Sequence, residues 1–234
     1  MVSETIRKII EWKKLEVQIR EFLREYLRGK GFSDVKLIKT PLGEKIIIYC
    51  AKPSLIIGRG GTGVTKLTLI LKKEFNLENP QIEVRPVENP YLDANIMAEW
   101  VALRLERYGI QRFKAIGYRA LELIMGAGAK GAEVIISGKV PGQRAKTWRF
   151  SYPWSYMKKA GEVWKTQVRK GIAIAYTPPG VVGVKVLIMP PVPLPDEVKI
   201  KEPTEIKVEE LEQIDPEIAM KFKEVLEKGE IQIK

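Results

Sequence analysis

Apolar positions return at helical spacing from about Thr5 to Arg28. Leu15, Ile19, Phe22, Leu23, Tyr26 and Leu27 form one stripe, and Gly29 and Gly31 mark its end. The period then falls to two. Val35 to Lys39 and Glu44 to Cys50 read as strands, with Thr40-Pro41-Leu42-Gly43 as the turn between them. Leu55-Ile56-Ile57 leads into a glycine cluster from Gly58 to Gly63. A helical stretch follows to about Phe75, with Val64, Leu67 and Leu71 on one face, and Gln81 to Val87 alternates as a strand again. The predicted order of this first part is α-β-β-α-α-β.

Glu88-Asn89-Pro90 interrupts the pattern and places a boundary after residue 88. Asp93 is suited to cap a helix running to about Arg107, and a second helix is expected from about Gln111 to Met125, before Gly126 and Gly128. Strands follow at Glu133 to Val140 and along the alternation of Lys146, Trp148, Phe150 and Tyr152 with Thr147, Arg149 and Ser151. Gly171 to Thr177 and Val181 to Met189 read as a hairpin about Pro178-Pro179-Gly180. Residues 89–190 are thus expected to form a second domain, a two-helix, four-strand α/β sandwich. Pro190-Pro191-Val192-Pro193-Leu194-Pro195 reads as an extended linker opening a third region, 191–234. In it a short helix is expected from Asp215-Pro216 to Gly229, with Ile218, Phe222, Val225 and Leu226 on one face. The fold class is α+β.

Composition narrows the chemistry. The chain has 234 residues, no histidine and one cysteine, Cys50, so an internal disulfide, a Ser-His-Asp triad, a Cys-His pair and imidazole metal sites are all excluded. No carboxylate pair stands out as acid and base, no metal-ligand spacing occurs, and Cys50 sits in an apolar run that suits a buried thiol. No enzyme activity, cofactor or metal is expected. Without a signal-like segment or a long apolar run, a soluble cytoplasmic protein that makes no use of a membrane is expected.

Charge supplies the first positive indication. Against a net +11 for the whole chain, Val101 to Met189 holds 16 basic and 4 acidic residues, while Pro190 to Lys234 holds 7 basic and 12 acidic. A strongly basic second domain beside an acidic tail reads as a polyanion-binding surface.

The segment from Ile56 to Leu67 carries most of the remaining information. It fails as a Walker A loop, because Gly63 is followed by Val64 and no Gly-Lys-Ser/Thr occurs. Gly58, Gly60 and Gly63 spell G-x-G-x-x-G. A dinucleotide-binding enzyme remains an alternative on that match, but the strand that should lead directly into it ends near Cys50, and Pro53 intervenes. The third reading is a G-x-x-G clamp, Gly58 to Gly61, with Arg59-Gly60 at its tip between two short helices. Missing Cβ atoms admit a sugar-phosphate backbone, and helix-start N–H groups can hold a phosphate. With Ile57 before it, Val64 and Leu67 after it, and the α-β-β-α-α-β order around it, this pattern resembles the type II KH domain, a single-strand RNA clamp.

Five segments extend the resemblance: Lys39-Thr-Pro-Leu-Gly43, Leu55-Ile-Ile-Gly-Arg-Gly-Gly61, Glu78-Asn-Pro-Gln-Ile-Glu-Val84, Gly128-Ala-Lys-Gly-Ala-Glu-Val-Ile-Ile-Ser-Gly-Lys139 and Gly180-Val-Val-Gly-Val-Lys-Val186. In this order, across roughly residues 5–190, they are similar to the family of small-subunit ribosomal protein three in its archaeal or eukaryotic form. The resemblance implies a structural constituent of the small-subunit head. Its expected partners are head rRNA, mRNA at the channel where it enters, and neighbouring head proteins, among them those numbered ten and fourteen in the small-subunit series. A KH-type mRNA regulator outside the ribosome is the other RNA-binding reading.

The candidate RNA-binding residues follow. Gly58, Arg59, Gly60 and Gly61 form the clamp, with Lys66 on the helix after it. Arg104, Arg107, Arg112, Lys114 and Arg119 cluster around the turn between the two helices of the second domain. By resemblance, basic residues at the start of its second helix face incoming mRNA and assist unwinding. Lys114 and Arg119 match that pattern, Arg112 stands nearby, and Ala115 and Tyr118 depart from it. Lys139, Arg144, Lys146, Arg149, Lys158, Lys159, Lys165 and Arg169 complete the set, in a stretch interleaved with Trp148, Tyr152, Trp154, Tyr156 and Trp164. Cations neutralise phosphate and rings can stack on bases. Trp148, Phe150 and Tyr152 are expected in the core, and Trp12 and Trp100 are expected as packing residues.

Overall fold

The computed structural model describes residues 4–40, 43–77 and 79–194. The turn at Pro41-Leu42, the acidic tail and its expected helix at 215–229 lie outside the described residues.

The first half is built on a three-stranded sheet. Helix α1 (Glu4–Tyr26) precedes β1 (Phe32–Thr40) and β2 (Gly43–Cys50), which pair antiparallel. Helices α2 (Pro53–Ile57) and α3 (Thr62–Phe75) then carry the chain to β3 (Gln81–Pro86), parallel to β2. The expected element order is observed, and β2 is central. Ile19 and Leu23 of α1, Ile56 of α2 and Leu67 and Leu71 of α3 bury their side chains with Val35, Leu37, Ile46, Ile48 and Cys50 of the sheet. Trp12, Leu15 and Phe22 pack partly buried against this core. Tyr26, placed in the apolar stripe by its spacing, is exposed and stacks on Phe22 at 5.8 Å. Its neighbours Leu23 and Leu27 are the residues at the end of α1 that enter the core.

The second half packs α4 (Ala94–Tyr108) and α5 (Phe113–Gly126) on one face of a four-stranded antiparallel sheet. Its strands are β4 (Gly131–Gly138), β5 (Lys146–Ser151), β6 (Arg169–Thr177) and β7 (Gly180–Met189), in the order β5-β4-β7-β6. Asp93 caps α4 as its sequence position suggests, its Oδ1 accepting from the N–H groups of Asn95 and Ile96. Val101, Leu105, Leu121 and Ile124 meet Val134, Ile136, Val184 and Val186 in the core, with Trp100 partly buried at its margin. Gly117 is required by close packing: a Cβ there would stand 2.9 Å from the Phe150 ring.

The second half departs from the sequence expectation at two places. Of the alternating Trp148, Phe150 and Tyr152, Phe150 is buried and Trp148 is half-buried, its indole N–H donating to Val140 O at 2.9 Å. Tyr152 is exposed, because β5 ends at Ser151 and the alternation no longer applies to it. The chain also forms a short helix α6 (Gly161–Thr166) between β5 and β6, where none was expected.

Candidate nucleic-acid interface

The glycine turn is a short bridge between two helices. Gly58 ends α2 with its N–H donating to Ser54 O at 3.0 Å, Arg59–Gly61 form one tight turn, and α3 starts at Thr62. Gly58, Gly60 and Gly61 have φ of 71°, 60° and 78°, backbone that L side chains rarely adopt. Gly63 is needed for a different reason. A Cβ there would collide with Ile56 O, so its absence lets α3 start directly against α2. No side chain caps α3; the Thr62 N–H is taken by Arg59 O, and the N–H groups that follow in the first turn have no side-chain cap. Arg59 and Gly60 are exposed, with open space around Gly60, and Lys66 is exposed one turn further along α3. The dinucleotide alternative requires a strand leading straight into the glycines, and α2 stands in that place.

In the second half, three of the predicted arginines share a shallow open groove of about 480 Å³ at the α4–α5 turn. Arg104, Arg112 and Arg119 line it with Tyr108, Tyr118, Ala115 and Glu122. Arg104 lies over the Trp100 ring at 3.8 Å, and Arg119 pairs with Glu122 at 2.9 Å, which fixes both heads while leaving the groove open. Arg107 is exposed on α4 outside this lining, and Lys114 turns away to the Trp148 ring at 5.5 Å. The sequence reading passed over Tyr108. Its signal is the i,i+4 step from Arg104, which puts both on one face of α4.

The remaining cations lie on and after the second sheet. Lys139, Arg144, Lys146 and Arg149 are exposed, as are Lys165 and Arg169, while Lys158 is half-buried. Lys159 reaches the buried carboxylate of Glu133 at 3.1 Å. Arg169 donates to Leu92 O at 3.4 Å, and its neighbour Lys170 lies over the Trp164 ring at 4.1 Å. These residues do not converge on a single pocket.

Side chains of α4 and its cap hold the two halves together. Arg28 pairs with Glu106 and donates to Ile174 O at 2.8 Å, and Glu106 also accepts from the Tyr176 N–H at 2.7 Å. Ser33 donates to Asp93, Asn95 donates to Ser33 O at 3.0 Å, and Gly29 N–H donates to Glu99. Burial raises the Glu99 carboxyl above its ordinary range, opposed by the Gly29 hydrogen bond and the Arg28 charge. Burial likewise raises the Cys50 thiol, which is fully enclosed in the first core. On the first sheet, hydrogen bonds from Arg85 and then Lys45 lower Glu83 to about 2. Among the described residues, no group of three His, Cys, Asp or Glu side chains could hold a metal, and no helix is long and apolar enough to cross a membrane.

A family model described as KH domain matches residues 18–92, and one described as Ribosomal protein S3, C-terminal domain, matches residues 101–188. The chain is 44% identical over 228 residues to the small ribosomal subunit protein uS3 of Nanoarchaeum equitans, across 97% of this chain and 96% of that protein. It is 48% identical over 207 residues to the uS3 protein of Methanocaldococcus jannaschii, covering 88% and 94% of the two chains. With the uS3 protein of Saccharolobus solfataricus it shares 38% identity over 206 residues, covering 86% and 88%.

Proposed function

The chain belongs to the uS3 family of small ribosomal subunit proteins, and from that membership we propose that it binds rRNA in the subunit head and helps line the channel through which mRNA enters. It is a structural, non-enzymatic component. The observation that carries the finer reading is the convergence of Arg104, Arg112 and Arg119 on one open groove, in the same compact body as the glycine turn. Three guanidiniums at a groove suit a phosphate backbone, and the uncapped start of α3 beside Arg59 suits a second contact of the same kind. The broadly spread cations from Lys139 to Arg169 would anchor rRNA. Two rings, Tyr108 and Tyr118, face the groove, so bases passing the arginines have planar surfaces to meet. The neighbouring head proteins ten and fourteen are the proposed protein partners, and the cytoplasmic ribosome the site of action.

Sedimentation of the tagged chain from cell lysate, with and without a high-salt wash, tests this. Stoichiometric, wash-resistant migration with the small subunit is expected. A chain that stays at the top of the gradient would instead favour an mRNA regulator acting outside the ribosome. Channel lining is tested by cross-linking mRNA to assembled subunits: attachment at the Arg104–Arg119 groove is expected, and its absence there would remove the groove from the path. Binding of single strands should weaken with salt at a log–log slope of about 0.7 per phosphate neutralised.

A further inference from the structure

Between β5 and α6 the chain makes a turn, Tyr152-Pro153-Trp154-Ser155-Tyr156, that carries three rings in five residues, and all three are exposed. Trp154 is 86% exposed, the highest value among the large hydrophobic side chains of the described residues. A ring of this size normally removes 150–250 Å² from water on folding, roughly, so leaving it out forgoes several kcal/mol of burial. The turn does not leave Trp154 outside for want of order. Ser155 N–H donates to Tyr152 O at 3.0 Å, and the Ser155 hydroxyl accepts from Ala132 N–H at 2.9 Å and donates to Ala132 O at 3.2 Å. Tyr156 N–H donates to Lys130 O at 3.0 Å. The backbone comes so close to β4 that any Cβ on Gly131 would collide with Tyr156 O. The two residues after Trp154 are thus fixed to β4, and Ser151, three residues before it, is paired with Glu133 at the end of β5, so its exposed indole stands on a turn anchored at both ends.

The surroundings select the partner. From Arg144 to Lys170 there are eight Lys and Arg residues against one acid, Glu162. Lys159 is tied to Glu133, the residue beside Ala132, so at least one of these cations is held next to the pinned turn. An exposed ring surrounded by neutral or acidic side chains would fit a protein pocket. A ring on a cationic surface fits a ligand that is both planar and anionic.

We propose that the 152–156 turn is a base-stacking platform, with the Trp154 indole taking an unpaired nucleobase of ribosomal RNA while nearby cations hold its phosphates. The proposal rests on the reading of this chain as an rRNA-binding protein and adds a subsite that the G-x-x-G turn and the arginine groove do not supply.

The test is fluorescence anisotropy of the full chain with a labelled twelve-nucleotide oligoadenylate and with an abasic oligomer of the same phosphate count. Trp154→Ala should bind the oligoadenylate about tenfold more weakly and the abasic strand equally well, with an unchanged salt slope. Trp154→Phe should retain most of the affinity. Equal binding of oligoadenylate by Trp154→Ala and the parent would overturn the platform while leaving RNA binding intact. An equal loss on both strands would also overturn it, assigning Trp154 to the shape of the turn. If the parent binds neither strand, the RNA-binding reading itself fails and the platform with it. Unchanged RNA affinity together with exclusion of Trp154→Ala from assembled subunits would give Trp154 to a protein neighbour instead.

Discussion

Glu99, in the middle of α4, accepts a hydrogen bond from the backbone N–H of Gly29, in the turn that follows α1. The carboxylate lies between the two halves of the molecule, and burial raises its pKa above the ordinary 4.5. A carboxyl with a raised folded-state pKa binds its proton more tightly in the folded chain. Its contribution therefore favours folding at low pH and is lost as pH rises from about 4.5 through the folded value. Glu99→Gln keeps an acceptor for Gly29 and removes the charge. It should match the parent in denaturant unfolding near about pH 4 and exceed it at neutral pH. A variant weaker at neutral pH would mean that the nearby Arg28 charge outweighs burial.

Glu83 gives the opposite sign. Arg85 and Lys45 hold it at about 2, so the stability it contributes is present above the ordinary 4.5 and is lost as pH falls from there towards 2. The site is open to water, so salt should screen it. Glu83→Gln is expected to lower Tm at neutral pH and low ionic strength, and to lower it less in about 1 M NaCl. A salt-independent deficit would point to lost packing instead.

At the glycine turn, position decides the outcome. Gly58, Gly60 and Gly61 all have positive φ, and a Cβ on Gly58 would stand 3.2 Å from Gly63 N, so acidic substitutions at any of the three would mix strain with charge. Arg59→Glu with Lys66→Glu instead places two anions at the exposed tip and on the helix after it, on backbone that any residue adopts. This pair should reduce single-strand RNA binding about tenfold or more with Tm little changed. Gly63→Ala should instead lower stability by about 2–4 kcal/mol, since α2 and α3 must separate to admit the methyl group. An RNA affinity indifferent to these anions would exclude the turn as a clamp.

A double-mutant cycle on Arg28 and Glu106 should return a coupling of about 1 kcal/mol, each singly changed to Ala and then both together. Additive losses would show that the pair contributes nothing beyond its separate backbone contacts with Ile174 and Tyr176.

Cys50 should resist iodoacetamide in the folded chain and react fully in denaturant, since its thiol is both enclosed and raised in pKa. Rapid labelling under native conditions would mean that the first core opens locally.

What could be read from the sequence was local. The α1 stripe, the Asp93 cap and the glycine turn each declare themselves within a few residues, because periodicity, capping and φ preference act at that range. Helix α6 escaped because six residues span under two turns and leave no period to detect. Tyr152 was misplaced because alternation says nothing about where a strand stops. The Arg28–Glu106 pair, 78 residues apart in sequence, leaves no local trace at all, and neither does the pinning of Ser155 to Ala132. Of the candidate site, the arginine groove was legible as a charge cluster, while the choice of Arg104, Arg112 and Arg119 over Arg107 and Lys114 needed the fold.

Asp93 caps α4 with one carboxylate oxygen and accepts from the Ser33 hydroxyl with the other. Synthesis runs from the N-terminus at about 5–20 residues per second, so every strand of the first sheet has been made before Asp93 is added. Ser33, whose hydroxyl holds the other oxygen of the cap, is thus made before the helix start that it steadies, and a change at that end of β1 would reach α4 through the Asp93 carboxylate.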